Sequence, residues 1–126
     1  MTPSILLVDD EETFLSSAVR MLRLKGYTDL TTASEPTTVP QLLRRKAFDA
    51  ALLDITMPGM DGLDLLKLIK ESTPSTECIM VTANEHIPSV IKAIKLGAYD
   101  YLVKPITPDQ LTHSLERALE RKQILR

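Results

Sequence analysis

Two short apolar runs end in acids: Asp9 and Asp10 close "SILLV", and Asp54 closes "AALL". If both runs are neighbouring parallel strands, the three carboxylates converge on one edge of one sheet. Two unit charges about 4 Å apart repel by roughly 4 kcal/mol at an effective dielectric of about 20. Such a cluster calls for a cation or a proton. Two more polar residues directly follow apolar runs, Thr82 after "ECIMV" and Lys104 after "YDYLV". Three acids, a hydroxyl and an amine suit a divalent cation beside a phosphoryl group. Magnesium takes oxygen ligands and keeps several waters. A carboxylate can attack phosphorus and form an acyl phosphate. Lys104 and the metal would neutralise phosphoryl oxygens, and the Thr82 hydroxyl could donate to one of them.

Each residue also has a simpler role. Asp10 could cap a helix, with Glu11 and Glu12 favoured by the helix dipole. Asp54 could begin a turn. Thr82 could be a plain strand end and Lys104 a solvated charge. Their coincidence at four strand ends is what points to a site. Other chemistries fit poorly. "VDDEETF" offers no glycine-rich loop for a dinucleotide or a P-loop. His86 and His113 lack zinc-ligand spacing. Ser72, Ser75 and Ser89 have no nucleophile elbow around them.

The elements that must position these groups alternate along the chain. Strands are predicted over 4–9, 28–33, 49–54, 77–82 and 99–103, the first without polar alternation, as in a strand buried on both faces. The first helix carries Phe14, Leu15, Ala18, Val19 and Leu22 at helical spacing and stops at Gly26. A short second helix is expected around 39–46, because Pro36 and Pro40 exclude a long one. A turn-rich loop, "ITMPGMDG", precedes a helix over 62–71 with Leu63, Leu66 and Ile69 on one face. The fourth helix starts near Pro88, carries Val90, Ile91, Ile94 and Lys95, and closes at Gly97. Thr107, Pro108 and Gln110 form a capping box for the last helix, whose stripe is Leu111, Leu115, Ala118 and Leu119. Five βα repeats imply an α/β fold with a parallel sheet and right-handed crossovers. Ligands in such sheets bind beyond the carboxyl ends of the strands.

A chain of 126 residues suits one domain with a core of its own. The apolar fraction of 44% and charged fraction of 25% are those of a soluble globular protein. A net charge of -2 gives no electrostatic case for binding nucleic acid or membrane. The single cysteine, Cys78, reads as a buried reduced thiol, which suits a reducing cytosol. No signal peptide and no membrane span are expected.

The motifs "ILLVDDEE", "ALLDITMPGMDG", "MVTA" and "GAYDYLVKP", in this order and spacing, strongly resemble the receiver domain of two-component response regulators. The resemblance covers 4–122. It implies the flavodoxin-like doubly wound fold with strand order 2-1-3-4-5. It makes Asp54 the phosphoacceptor, charged by the phosphohistidine of a sensor histidine kinase. Asp9 and Asp10 match the acidic pair that holds magnesium (or manganese), with Asp54 and the backbone carbonyl of Thr56 contributing. Thr82 matches the switch hydroxyl, Lys104 the lysine that pairs with the phosphoryl group, and Tyr101 the aromatic switch position. A cis bond is implied at Lys104–Pro105. Thr56 and Asn84 match positions that tune acyl-phosphate lifetime. Being uncharged, they imply a moderate to long one. The departure from the family is "SEPTTVPQ" (34–41), where its second helix is usually uninterrupted.

The expected function is a cytoplasmic, phosphorylation-controlled switch that catalyses only its own phosphoryl transfer and loss. Its output surface is expected on the fourth helix, fifth strand and last helix, facing an effector domain or a second copy. No direct binding to nucleic acid or membrane is expected. The single domain spans 1–126, with 119–126, including Ile124 and Leu125, as the start of a helix towards an effector. Receivers of this kind resemble those preceding sigma-factor activators or hybrid kinases. Two other functions stay open: a non-phosphorylated interaction module, and a metal-dependent phosphohydrolase.

Overall fold

The computed structural model describes residues 2–124. Five parallel strands run β1 (Ser4–Val8), β2 (Asp29–Ala33), β3 (Ala50–Leu53), β4 (Glu77–Thr82) and β5 (Asp100–Val103). They form one sheet in the order β2-β1-β3-β4-β5. The helices are α1 (Glu12–Leu24), α2 (Val39–Arg45), α3 (Gly62–Ser72), α4 (Ile87–Lys95) and α5 (Pro108–Ile124). A 3-10 turn at Pro36–Thr38 precedes α2, so the two prolines delay and shorten that helix as expected. Leu125, expected to continue α5, lies outside the described residues.

Alternation along the central strands divides the core. Leu6, Val8, Ala51, Leu53, Cys78 and Met80 face α2, α3 and α4. Ile5, Leu7, Ala50, Leu52, Ile79 and Val81 face α1 and α5. Each fully buried aliphatic side chain contributes about 1.5–3 kcal/mol, which explains why β1, β3 and β4 lack polar alternation. Helix ends follow local chemistry. Gly26 and Gly97 take positive φ, 95° and 106°. In each case the N–H of the next residue returns five residues back, Tyr27 to Leu22 and Ala98 to Ala93, both at 3.0 Å. This is the closure that glycine favours. The capping box of α5 is formed: Gln110 N–H donates to Thr107 Oγ1 at 3.1 Å, and Thr107 N–H to Gln110 Oε1 at 2.9 Å.

One helix buries little of its apolar surface. In α4 the buried residue is Ala93, while Ile91 and Ile94 are 49% and 50% exposed and Ile87 is 67% exposed. The apolar residues that mark this helix in the sequence therefore point largely away from the core. Only a small side chain fits between α4 and the sheet near its edge. At the opposite end of the sheet, Lys122 of α5 pairs with Asp49, and Arg121 with the buried Glu77 at 3.1 Å. These pairs fix the last turns of α5 across the starts of β3 and β4.

Cys78 has no exposed surface, and burial pushes its thiol pKa up to about 12. A raised thiol pKa disfavours thiolate in the fold; the associated stability is full below the unfolded thiol value and is lost as pH rises towards 12. At pH about 8 the native protein is expected to react with a soluble disulfide reagent on the order of a hundredfold more slowly than the denatured chain. Equal rates would contradict this burial.

Candidate functional site

Register brings the site together. Val8 pairs with Leu53, so the next residues, Asp9 and Asp54, leave the sheet side by side. Their backbones continue the ladder: Asp54 N–H donates to the Val8 carbonyl at 3.2 Å, and Asp9 N–H to that of Ala33 at 3.1 Å. Thr82 pairs with Val103, and Lys104 N–H donates to the Thr82 carbonyl at 2.9 Å. All four residues thus stand on the carboxyl edge of the sheet. Asp9, Asp54 and Thr82 are buried, and the Lys104 side chain is 13% exposed.

Lys104 is the centre of charge. Its Nζ lies 2.6 Å from Asp9 Oδ2, 3.1 Å from Glu11 Oε1 and 3.5 Å from Asp54 Oδ2. Burial alone would lower the lysine pKa, but hydrogen bonds to Asp9 and Glu11 and the charges of Asp54 and Asp9 outweigh it and hold the ammonium above its ordinary range. Burial raises the Asp9 pKa; the Lys104 and Glu11 hydrogen bonds oppose that and only partly offset it.

Among the described residues, carboxylate oxygens of Asp9, Glu11 and Asp54 lie within 4.8 Å of one another. The sequence pattern did not mark Glu11; its signal is only its place in the run "DDEE". Asp10 is exposed and lines an open cleft of about 440 Å³ with Glu11, Asp54, Thr56, Thr82 and Asn84. Asp10 does not cap α1. The cap position is Glu11, and its N–H donates to Asp9 Oδ1 at 2.9 Å, so the helix begins one residue later. Asp54 does also begin a turn, its Oδ1 accepting from Thr56 N–H at 3.3 Å. The donor set is wholly oxygen, which fits a hard cation such as magnesium.

In the wall of the cleft, one residue links the two expected switch positions. Asn84 N–H donates to Thr82 Oγ1 at 3.2 Å, and the Asn84 carbonyl accepts from the Tyr101 hydroxyl at 2.6 Å. Burial, with the Asp54 charge, raises the Tyr101 pKa. The Tyr101 hydroxyl is therefore engaged. The Lys104–Pro105 peptide bond is cis. Gly62, not singled out by the sequence, approaches the backbone of Asp54: a Cβ there would stand 1.9 Å from the Asp54 carbonyl oxygen. Gly62 N–H also donates to the Ile55 carbonyl at 2.9 Å.

A five-stranded parallel sheet of order 2-1-3-4-5, with acids, a hydroxyl and a lysine on its carboxyl edge, defines a flavodoxin-like α/β protein with its site at the strand ends. Residues 5–116 match the model of the response regulator receiver domain, and the chain belongs to that family. It is 38% identical over 120 residues to the alginate biosynthesis transcriptional regulatory protein AlgB of Pseudomonas aeruginosa, covering 95% of this chain and 26% of that protein. The chain spans about a quarter of the length of the curated relatives it matches. A CheY-like receiver domain from Methanospirillum hungatei superposes with a TM-score of 0.95 at 27% identity, covering 100% of both chains. NtrX from Brucella abortus superposes at 0.92 and 33% identity, covering 100% of this chain and 28% of that one. Receiver domains are signalling switches that bind magnesium through acidic residues. Among the described residues no helix is long and apolar enough to cross a membrane.

Two measurements check this geometry. Gly62→Ala is expected to cost roughly 1–3 kcal/mol or more of stability, read by urea unfolding, because the added carbon meets backbone. Asp9→Asn is expected to melt a few degrees higher than the unsubstituted protein in metal-free buffer at neutral pH. The sign follows from the raised Asp9 pKa, which makes its charge a cost at any pH above the folded value. The advantage should shrink as pH falls and the carboxyl is protonated in both states. A lower melting temperature at neutral pH would mean that pairing with Lys104 outweighs burial.

Proposed function

We propose that the chain is a phosphorylation-controlled switch in which Asp54 accepts a phosphoryl group from the phosphohistidine of a sensor histidine kinase. The observation that carries this reading is the Asp54 carboxylate, held in the cleft 3.5 Å from the Lys104 ammonium and sharing that cleft with Thr82. A carboxylate oxygen of Asp54 attacks phosphorus, the phosphorus–nitrogen bond breaks, and the departing imidazole recovers its electron pair. The product is an aspartyl phosphate; attack by water on phosphorus later returns the carboxylate and inorganic phosphate. Asp9, Asp10, Asp54 and the Thr56 carbonyl would hold magnesium, or manganese in its place. When bound, the metal supplies charge neutralisation for the phosphoryl oxygens.

The chain's own residues do the rest. Lys104, already 3.5 Å from Asp54 Oδ2, pairs with the new dianion and loosens its contacts with Asp9 and Glu11. The Thr82 hydroxyl, now accepting from Asn84, turns to donate to a phosphoryl oxygen. That movement breaks the Asn84 N–H bond at one end of a chain whose other end is the Tyr101 hydroxyl. The segment that carries Asn84 then moves and Tyr101 packs inward, which alters the face of α4, β5 and α5. Phosphorylation thus biases two pre-existing states. That face is read by an effector domain or a second copy, which the exposed Ile87, Ile91 and Ile94 support. Several relatives are transcriptional regulatory proteins, and we assign this chain to the same kind of cytoplasmic control of transcription. Residues from 119 onwards would then lead towards the effector. Thr56 and Asn84 are uncharged, and the Asn84 side-chain oxygen is occupied by His86 N–H at 2.8 Å. Neither orients an attacking water, so the aspartyl phosphate is moderately to long lived.

Incubation with magnesium and acetyl phosphate is expected to add one phosphoryl group by intact mass, lost in Asp54→Asn. Undiminished uptake by that variant would sink the assignment. Thr82→Ala should keep uptake while weakening the phosphorylation-dependent change in elution volume or partner binding; a full response would remove Thr82 from the switch.

A further inference from the structure

The ring of Phe14 has a second use besides packing. Phe14 lies on the first turn of α1, half-buried against the cluster of Ile5, Leu7 and Leu15. The Lys104 Nζ stands over its ring, 4.1 Å from the centroid. Three carboxylates hold the ammonium on its other sides, at 2.6, 3.1 and 3.5 Å. A lysine side chain is a flexible four-carbon stem with a strongly hydrated head. Here the aromatic face lies against the ammonium, and its negative quadrupole attracts the charge.

We infer that Phe14 is a positioning residue for phosphoryl transfer: its ring seats the Lys104 ammonium over the cleft, where it meets the phosphoryl oxygens on Asp54. The inference rests on the reading of Asp54 as phosphoacceptor. The ring faces Lys104 and not the incoming group, so its action runs through the lysine. An aliphatic side chain of similar volume would fill the same core position without attracting the charge. Phe14→Leu and Phe14→Tyr therefore separate the two contributions. The leucine keeps the packing and loses the π face; the tyrosine keeps both.

The test pairs a rate with a spectroscopic signature. In the unsubstituted protein the Lys104 Cε protons are expected upfield of those of the other lysines, shifted by the Phe14 ring current. Phe14→Leu should remove that shift and slow phosphorylation by acetyl phosphate in magnesium roughly three- to tenfold, while staying folded by circular dichroism. Phe14→Tyr should restore both. Should the leucine variant fold poorly, Phe14→Met carries the same expectations. A leucine or methionine variant phosphorylated at the unsubstituted rate, or Lys104 protons without an upfield shift, would overturn the inference while leaving the phosphoacceptor intact. A tyrosine variant as slow as the leucine one would also overturn it. An unsubstituted protein that takes up no phosphoryl group at all would defeat the reading of Asp54 as well.

Discussion

The structure turns on one ammonium group among three carboxylates. Asp9, Glu11 and Asp54 carry like charges within 4.8 Å, and two of them are buried. Unbalanced, that arrangement would oppose folding by several kcal/mol. Lys104 balances it from the end of β5, 95 residues from Asp9 in sequence. Coulomb attraction also means that whatever adds or removes charge in the cleft must move this lysine. The element that stabilises the resting site is thus the element on which the proposed response to a phosphoryl group rests.

The parallel sheet makes this possible. Strands of one direction put all their carboxyl ends on one edge. Adjacent β1 and β3 place Asp9 beside Asp54, and β4 with β5 places Thr82 beside Lys104. Two hydrophobic faces hold that register, because a slip by one residue would exchange the side chains of the two cores and undo the packing of both. On the other edge, Asp49 and Glu77 anchor Lys122 and Arg121 of α5. The domain therefore has one edge with charge ready to rearrange and one with charge locked in pairs. The α4 helix, with little buried beneath it, lies on the side where rearrangement costs least.

Asn84 joins the cleft to that side. Its N–H bonds the Thr82 hydroxyl and its carbonyl bonds the Tyr101 hydroxyl. One peptide segment therefore touches the cleft and holds the aromatic residue of β5. No distant network is required, only a loop with two hydrogen bonds of opposite sense.

Much of this was legible in the sequence. The unbroken apolar runs specify buried parallel strands, the prolines shorten α2, and Thr107 with Gln110 caps α5, because each depends on local backbone chemistry. Polar residues directly after those runs mark the site edge for the same reason. The sequence left open which acids meet. Glu11 joins the close group and Asp10 faces solvent because the Asp9 side chain takes the Glu11 N–H and sets the turn into α1. It also could not show that Ile91 and Ile94 stay exposed, since helical periodicity is the same whether a face meets the core or a partner. The approach of Gly62 to Asp54, the link through Asn84 and the ring of Phe14 under Lys104 join residues distant in the chain. Their contacts depend on distances across the sheet edge, which only the packed fold sets.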